Sequence, residues 1–154
     1  MLKQENDFKL IPAPVPDSCW YSNLRTCLPP KIWDKIRKDA YARANGKCMI
    51  CGRPVKRLEA HEDWSYDEEN CVQKLERVLA VCHSCHSVIH IGRTQLMGEE
   101  DKAIAHFCKV NKCNYADYKR ALAIANEKHH RLNRVSEWKL DVMVIAEFIS
   151  EEKK

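Results

Sequence analysis

Four cysteines carry the clearest chemistry in this chain. Cys48-Met-Ile-Cys51 and Cys82-His-Ser-Cys85 are two Cys-x-x-Cys knuckles with thirty residues between them. A two-residue gap lets a tight turn aim both sulfurs at one ion, and Gly52 directly after the first knuckle suits such a turn. Four thiolates form the soft tetrahedral set that zinc takes in closed structural sites. A zinc held this way contributes on the order of 10 kcal/mol to folding at neutral pH. That rivals the entire stability of a typical small domain. A closed site of this kind supports a fold, and by itself it says nothing of catalysis.

Histidines supply the second group. In His86-Ser-Val-Ile-His90 the i, i+4 spacing places both imidazoles on one face of a short helix, about one turn apart, where both can reach one cation. His61 lies in Arg57-Leu-Glu-Ala-His61-Glu62, a short strand-like piece. Leu75-Glu-Arg-Val-Leu-Ala-Val81 has the β-branched content of a second strand. Pairing the two would bring a third imidazole to the helix. The acidic, aromatic stretch between them, with Trp64 and Tyr66, reads as a loop, and Gly92 reads as the end of the helix. Strand, strand and helix in this order is the ββα-metal arrangement, so the expected class is α+β with a four-cysteine zinc site.

The elements that must hold these residues fit a chain of 154 residues, 45% hydrophobic and 31% charged, enough for one domain with a core. Residues 1–18, with Pro12, Pro14 and Pro16 at alternate positions, read as an extended arm. Residues 19–150 read as a single domain with its metal-binding core over about 47–93. A helix is expected over about 31–45, with Ile32, Ile36, Ala40 and Tyr41 on one face and Gly46 as a stop. Three more are expected within 99–150, over about 99–111, 114–130 and 138–150. The last would carry a stripe of Leu140, Val144, Ile145 and Phe148.

No apolar run approaches the eighteen or so residues that cross a bilayer. The first residues also lack the apolar stretch of a secretory signal. The expected location is therefore the cytoplasm. Nine cysteines in a reducing compartment point to metal binding and not to a disulfide framework. Cys19, Cys27, Cys71, Cys108 and Cys113 are then plain thiols. His83, His106, His129 and His130 read as solvated or helix-flank residues, and Trp20, Trp33, Trp64 and Trp138 as packing anchors.

Charge is unevenly spread. The net charge is +4, yet Arg25 to Arg57 holds ten basic and two acidic residues, a local balance of +8. Six acidic residues and no basic one follow between Glu59 and Glu69. A basic block beside a metal site is what a phosphate backbone would want, because Lys and Arg release condensed counterions on binding. Lys35 and Lys38 belong to that block. A solvated helix face would carry the same charge.

The stretch CMICG … LEAHEDWSYD … LERVLAVCHSCHSVIHIGR resembles HNH endonucleases of the zinc-knuckle kind, in particular small stand-alone bacterial and phage HNH proteins. Cys19-Trp-Tyr-Ser-Asn-Leu-Arg25, Trp33-Asp34, the run 61–67 and Trp138-Lys-Leu-Asp141 are similar to further segments of that group. The resemblance spans roughly residues 12–145. It implies cleavage of phosphodiester bonds in DNA, with Mg²⁺ or another divalent ion, in a bacterial or phage-infected cell. His61 would be the general base, His86 and His90 the metal ligands, and Arg57 and Arg93 the phosphate holders. Glu62 would be a ligand or would orient one.

The chain departs from the pattern at two places. The paired position reads either Ala60-His61 or His61-Glu62; in the second register His61 is the ligand and Glu62 stands at the base position. Arg77 stands where the middle Asn is expected, with Asn70 or Gln73 as substitutes from the loop. A catalytically degraded scaffold that docks DNA or another protein is the alternative expectation. A homodimer would suit double-strand breaks, and no membrane partner is expected.

Overall fold

In the computed structural model, which describes residues 2–20 and 23–152, a three-stranded sheet separates two apolar cores within a mixed α+β architecture. Tyr21 and Ser22 of the segment 19–25 lie outside the described residues.

The chain enters through an extended stretch flanked by one-turn 3₁₀ segments at Glu5–Asp7 and Asp17–Cys19. This stretch is no free arm, because Phe8 and Leu10 are buried in the first core. Asn111 locks it down. Its Oδ1 accepts from the Lys9 and Leu10 amides at 2.8 and 3.1 Å, and its Nδ2 donates to the Leu10 carbonyl at 2.8 Å.

Helix α1 (Leu24–Cys27) starts at Asn23, whose side chain accepts from the Thr26 amide. Helix α2 (Pro30–Ala44) begins with Pro at its first position, where a missing N–H costs nothing. Ile32, Ile36 and Ala40, four residues apart, form its buried stripe, and left-handed Asn45 ends it.

Strands β1 (Glu59–Asp67) and β2 (Val72–Val81) form an antiparallel hairpin with His61 opposite Leu79. The expected loop around Trp64 and Tyr66 is therefore the second half of a strand. Its even positions, Ala60, Glu62, Trp64 and Tyr66, fall on one face of the sheet by the period-two rule. Ala60 and Trp64 pack into the second core, so the aromatic residues are the buried half of an alternating strand. The real turn is shorter, at 68–71, where Asp67 accepts from Asn70 through the amide (3.0 Å) and the side chain (2.8 Å).

After β2 come α3 (His83–Ile89) and α4 (Ile91–Leu96). Gly92 does not stop the helix as expected. The break falls at His90, with φ −98° and ψ 54°, and the helical stretch ends only at Gly98, with φ +71°. Thr94 braces the bend by donating to the Ser87 and His90 carbonyls.

Helix α5 (Glu100–Asn111) and helix α6 (Tyr115–Leu132) pack behind α3. Asn114 and Asp117 cap α6 reciprocally. The helix expected over 138–150 is only partly present. Lys139–Asp141 form strand β3, parallel to β2 with Val72 opposite Lys139, and α7 spans Ala146–Glu152. Two contacts hold the strand: the Trp138 ring meets Tyr66 edge-on at 5.2 Å, and the Lys139 amide donates to the Cys71 carbonyl at 2.7 Å. Leu140 and Val144 remain 47% and 49% exposed, so the working stripe is Ile145, Phe148 and Ile149.

The first core gathers Phe8, Leu10, Val81, Val88, Phe107 and Tyr118 between the sheet and helices α3, α5 and α6. The second gathers Leu24, Ile32, Ile36, Leu75, Val78 and Ile145 on the opposite face. Among the described residues no helix is long and apolar enough to cross a bilayer. Replacing Asn111 by Ala should cost about 1–3 kcal/mol, since it strands amides that have no other partner. The expected result is a lower Tm and faster proteolytic cleavage ahead of Leu10; unchanged cleavage would show that the segment is held by packing alone.

Candidate functional site

Two turns bring the four cysteine sulfurs to one point. The first knuckle folds back on itself, with the Gly52 amide donating to the Cys48 carbonyl at 2.9 Å and Gly52 at φ +77°. It docks on the sheet through the Met49 amide, which donates to the Ala80 carbonyl at 3.0 Å. The second knuckle is the junction of β2 and α3, with Cys82 at the helix N-cap and its sulfur accepting from the Cys85 amide. All four sulfurs lie within 4.8 Å of one another. The Cys51–Cys82 pair is 3.8 Å apart. Four sulfurs each about 2.3 Å from a central zinc would be spaced by about 3.8 Å, so the cluster can hold one metal ion such as zinc.

Backbone amides and a histidine ring lie against these sulfurs. The Ile50 and Cys51 amides point at Cys48 Sγ, and His106 Nε2 lies 3.1 Å from Cys85 Sγ. Burial resists ionisation of Cys48, but the amides of Cys51, Cys82 and Ile50 outweigh it and bring its pKa down to about 7. Burial and the neighbouring thiols push Cys82 and Cys85 the other way. A cation is the group that would let all four ionise together.

The second site is built on the same scaffold. His86 and His90 follow Cys82 on one helical ladder, the His86 amide bonding to the Cys82 carbonyl and the His90 amide to the His86 carbonyl. Their rings are 4.7 Å apart between centroids. His61 reaches over from β1, 5.5 Å from His86 and 5.6 Å from His90. One nitrogen from each ring lies within 4.8 Å of the others. Burial and the neighbouring imidazoles His90 and His86 lower His61 to about 3; burial and His86 lower His90 to about 4. Both are therefore neutral across the physiological range, with lone pairs free for a cation.

Glu59 completes the arrangement. Its two oxygens accept from His86 Nδ1 at 2.7 Å and His83 Nδ1 at 2.9 Å. Burial works against its ionisation, but the two imidazoles outweigh this and hold the carboxyl below the usual carboxylate range. Occupying His86 Nδ1 leaves Nε2 as the donor atom.

The other sequence candidates scatter. Glu62 sits on the opposite face of the sheet, where it accepts from the Leu24 amide at 2.8 Å and burial raises its pKa. Asn70 is engaged with Asp67 in the turn. Gln73 is 2% exposed and pairs with Tyr66. Six positions along β2 separate it from Leu79, the partner of His61, a distance of roughly 20 Å. Neither replaces the expected middle Asn, and Arg77 at that position pairs with Asp63.

His83, expected to be solvated, is 82% exposed but tied to Glu59. His106, expected on a helix flank, touches the cysteine cluster. Sequence reasoning also missed Glu59. Strand alternation carried the signal, because residue 59 shares a face with 61 whereas 60 and 62 do not.

A groove of about 1500 Å³ runs past this centre between α2 and the α3–α4 bend. His86, His90, Arg57 and Arg93 line it, whereas Lys35 and Lys38 lie on other faces of α2. No family model, curated protein or solved structure matches the chain.

Cys85→Ser should lose bound zinc, read by elemental analysis, and lose its cooperative unfolding transition in circular dichroism. Folded, zinc-free Cys85→Ser protein would show that the cluster does not hold the fold. Glu59→Gln should weaken cobalt binding at the histidines by about 10–100-fold, followed by visible absorption, with the cysteine site intact.

Proposed function

We propose that this chain is a metal-dependent nuclease of the HNH kind, hydrolysing phosphodiester bonds of DNA in the groove beside His86 and His90. The hairpin β1–β2 followed by α3 is read as its ββα-metal core, with a structural zinc in the four cysteines. The observation that carries the reading is the convergence of His61, His86 and His90 from two separate elements, with His86 and His90 lining a basic groove.

In this reading His61 is a ligand, because its ring is equally placed toward both helix imidazoles. A divalent ion held by His61, His86 and His90 would supply Lewis-acid stabilisation of the charge building on phosphorus and a more acidic water for attack. Glu59 fixes the ring of His86, and the neutral state of His61 and His90 keeps their nitrogens available. Arg57 and Arg93 hold the phosphate in the groove. Three imidazoles suit zinc, nickel or iron-class ions, whereas Mg²⁺ prefers oxygen ligands. Of the divalent ions that the resemblance allows, nickel or zinc is therefore the expected activator, ahead of Mg²⁺.

A second reading is favoured by the absence of Glu62, Asn70 and Gln73 from the centre: a metal-bearing scaffold that binds nucleic acid without cutting it. With Ni²⁺ or Zn²⁺, and weakly or not at all with Mg²⁺, supercoiled plasmid or single-stranded circular DNA should be cut, and His61→Ala should reduce the rate by at least about 100-fold. Salt-sensitive retention of both DNAs with neither cut would establish the second reading. Equal cleavage by His61→Ala protein would remove the histidine centre from the chemistry.

A further inference from the structure

The groove wall opposite the histidines belongs to α2, and it is not made of charge alone. Trp33, Arg37 and Tyr41 line it at i, i+4 and i+8, a ladder rising about 6 Å per step. Trp33 and Tyr41 are half-buried, each packed in part against the second core and presented in part to the groove. Arg37 is held between them by Asp34 at 2.8 Å. Along the groove, Arg25, Lys56, Arg57 and Arg93 have no carboxylate partner among the described residues. The acids lining it, Asp34, Glu59 and Glu99, are engaged by Arg37, by His83 and His86, and by Lys102. The free charge of the groove is positive.

Aromatic rings alternating with cations along a groove meet both halves of a nucleotide, the base face and the phosphate. A duplex offers only the phosphates here, because its base faces are stacked inside the helix. The histidine centre is also recessed, with His61 only 7% exposed. Resting on the nuclease reading of this groove, we infer that its substrate is a single, unpaired nucleic-acid strand, with bases against Trp33 and Tyr41 and the phosphate toward the histidines.

The test is a titration of the full, zinc-loaded chain, without other divalent ions, using oligonucleotides of about 16 residues. Thymidine DNA and uridine RNA strands separate the two sources of a single strand, and tight binding of either supports the inference. A duplex of equal length is the comparison. The strand should quench tryptophan emission and bind roughly tenfold tighter than the duplex. Trp33→Phe should abolish most of the quenching while keeping the affinity. Trp33→Leu and, independently, Tyr41→Leu should weaken strand binding about tenfold and leave duplex binding unchanged. Equal affinity for the duplex, or unchanged strand affinity in both leucine variants with native circular dichroism, overturns the inference. Tight strand binding without metal-dependent cleavage would refute the nuclease reading and leave this one standing; efficient cleavage of duplex with weak strand binding would do the reverse.

Discussion

Cys82 occupies a position on which much of the molecule turns. It is the residue after β2, the N-cap of α3 and one of the four clustered thiols. Its sulfur accepts from the Cys85 amide while its carbonyl receives the His86 amide, so the knuckle and the first helical turn share one set of hydrogen bonds. Fixing that sulfur fixes where the helix starts and in which direction it leaves the sheet. His86 then follows one turn later and His90 one turn after that. A cation held by Cys48, Cys51, Cys82 and Cys85 would therefore set the geometry of the histidine cluster without touching it. The first knuckle adds a second restraint, since Met49 bonds to Ala80 two residues before Cys82.

The sheet decides which neighbours of His61 can join it. Along β1 the odd positions face α3 and the even positions face α2, so Glu59 enters the centre while Ala60 and Glu62 are committed to the other core. Moving Glu62 across would require a one-residue slip that also exchanged Ala60 and Trp64 for charged residues in an apolar layer. The register is thus held by burial on the side away from the chemistry. The carboxylate that this alternation brings to the histidines is Glu59, two positions before His61, and it bonds to His86 and His83.

How much of this was legible follows from the range of the interactions involved. The knuckles and the His86/His90 spacing are local patterns, and local geometry suffices to bring their side chains together. Helix α2 was legible because Pro30 and Gly46 bracket it and Ile32, Ile36 and Ala40 mark its face. Gly92 misled because glycine only permits a break; the bend came at His90, where Thr94 bonds across it. The segment 63–67 misled because its acids look loop-like, although they occupy one face of a strand whose other face is aromatic. Lys139–Asp141 was read as helix because its pairing partner is Val72–Lys74, far away in sequence. His106 became visible only once a tertiary contact placed it beside sulfur, whereas Glu59 was reachable through the strand alternation that puts it on the face of His61.

The two clusters, built on one junction, would handle charge in opposite ways. Four thiolates around a divalent ion would leave a net negative charge, and the local donors are of the kind that such a charge requires: the amides of Ile50, Cys51 and Cys85. Cys48, Cys82 and Cys85 are buried, which keeps that charge away from the groove. The histidine cluster does the reverse. Burial and mutual proximity hold His61 and His90 neutral, so an ion bound there would keep its positive charge, balanced in part by Glu59. That charge would face a groove in which Arg25, Lys56, Arg57 and Arg93 have no carboxylate partner among the described residues. An anion approaching from solvent would meet the positive site first and the shielded negative one scarcely at all. On the proposed reading, this separation is what allows a protein with one metal-built fold to present a second metal to phosphate.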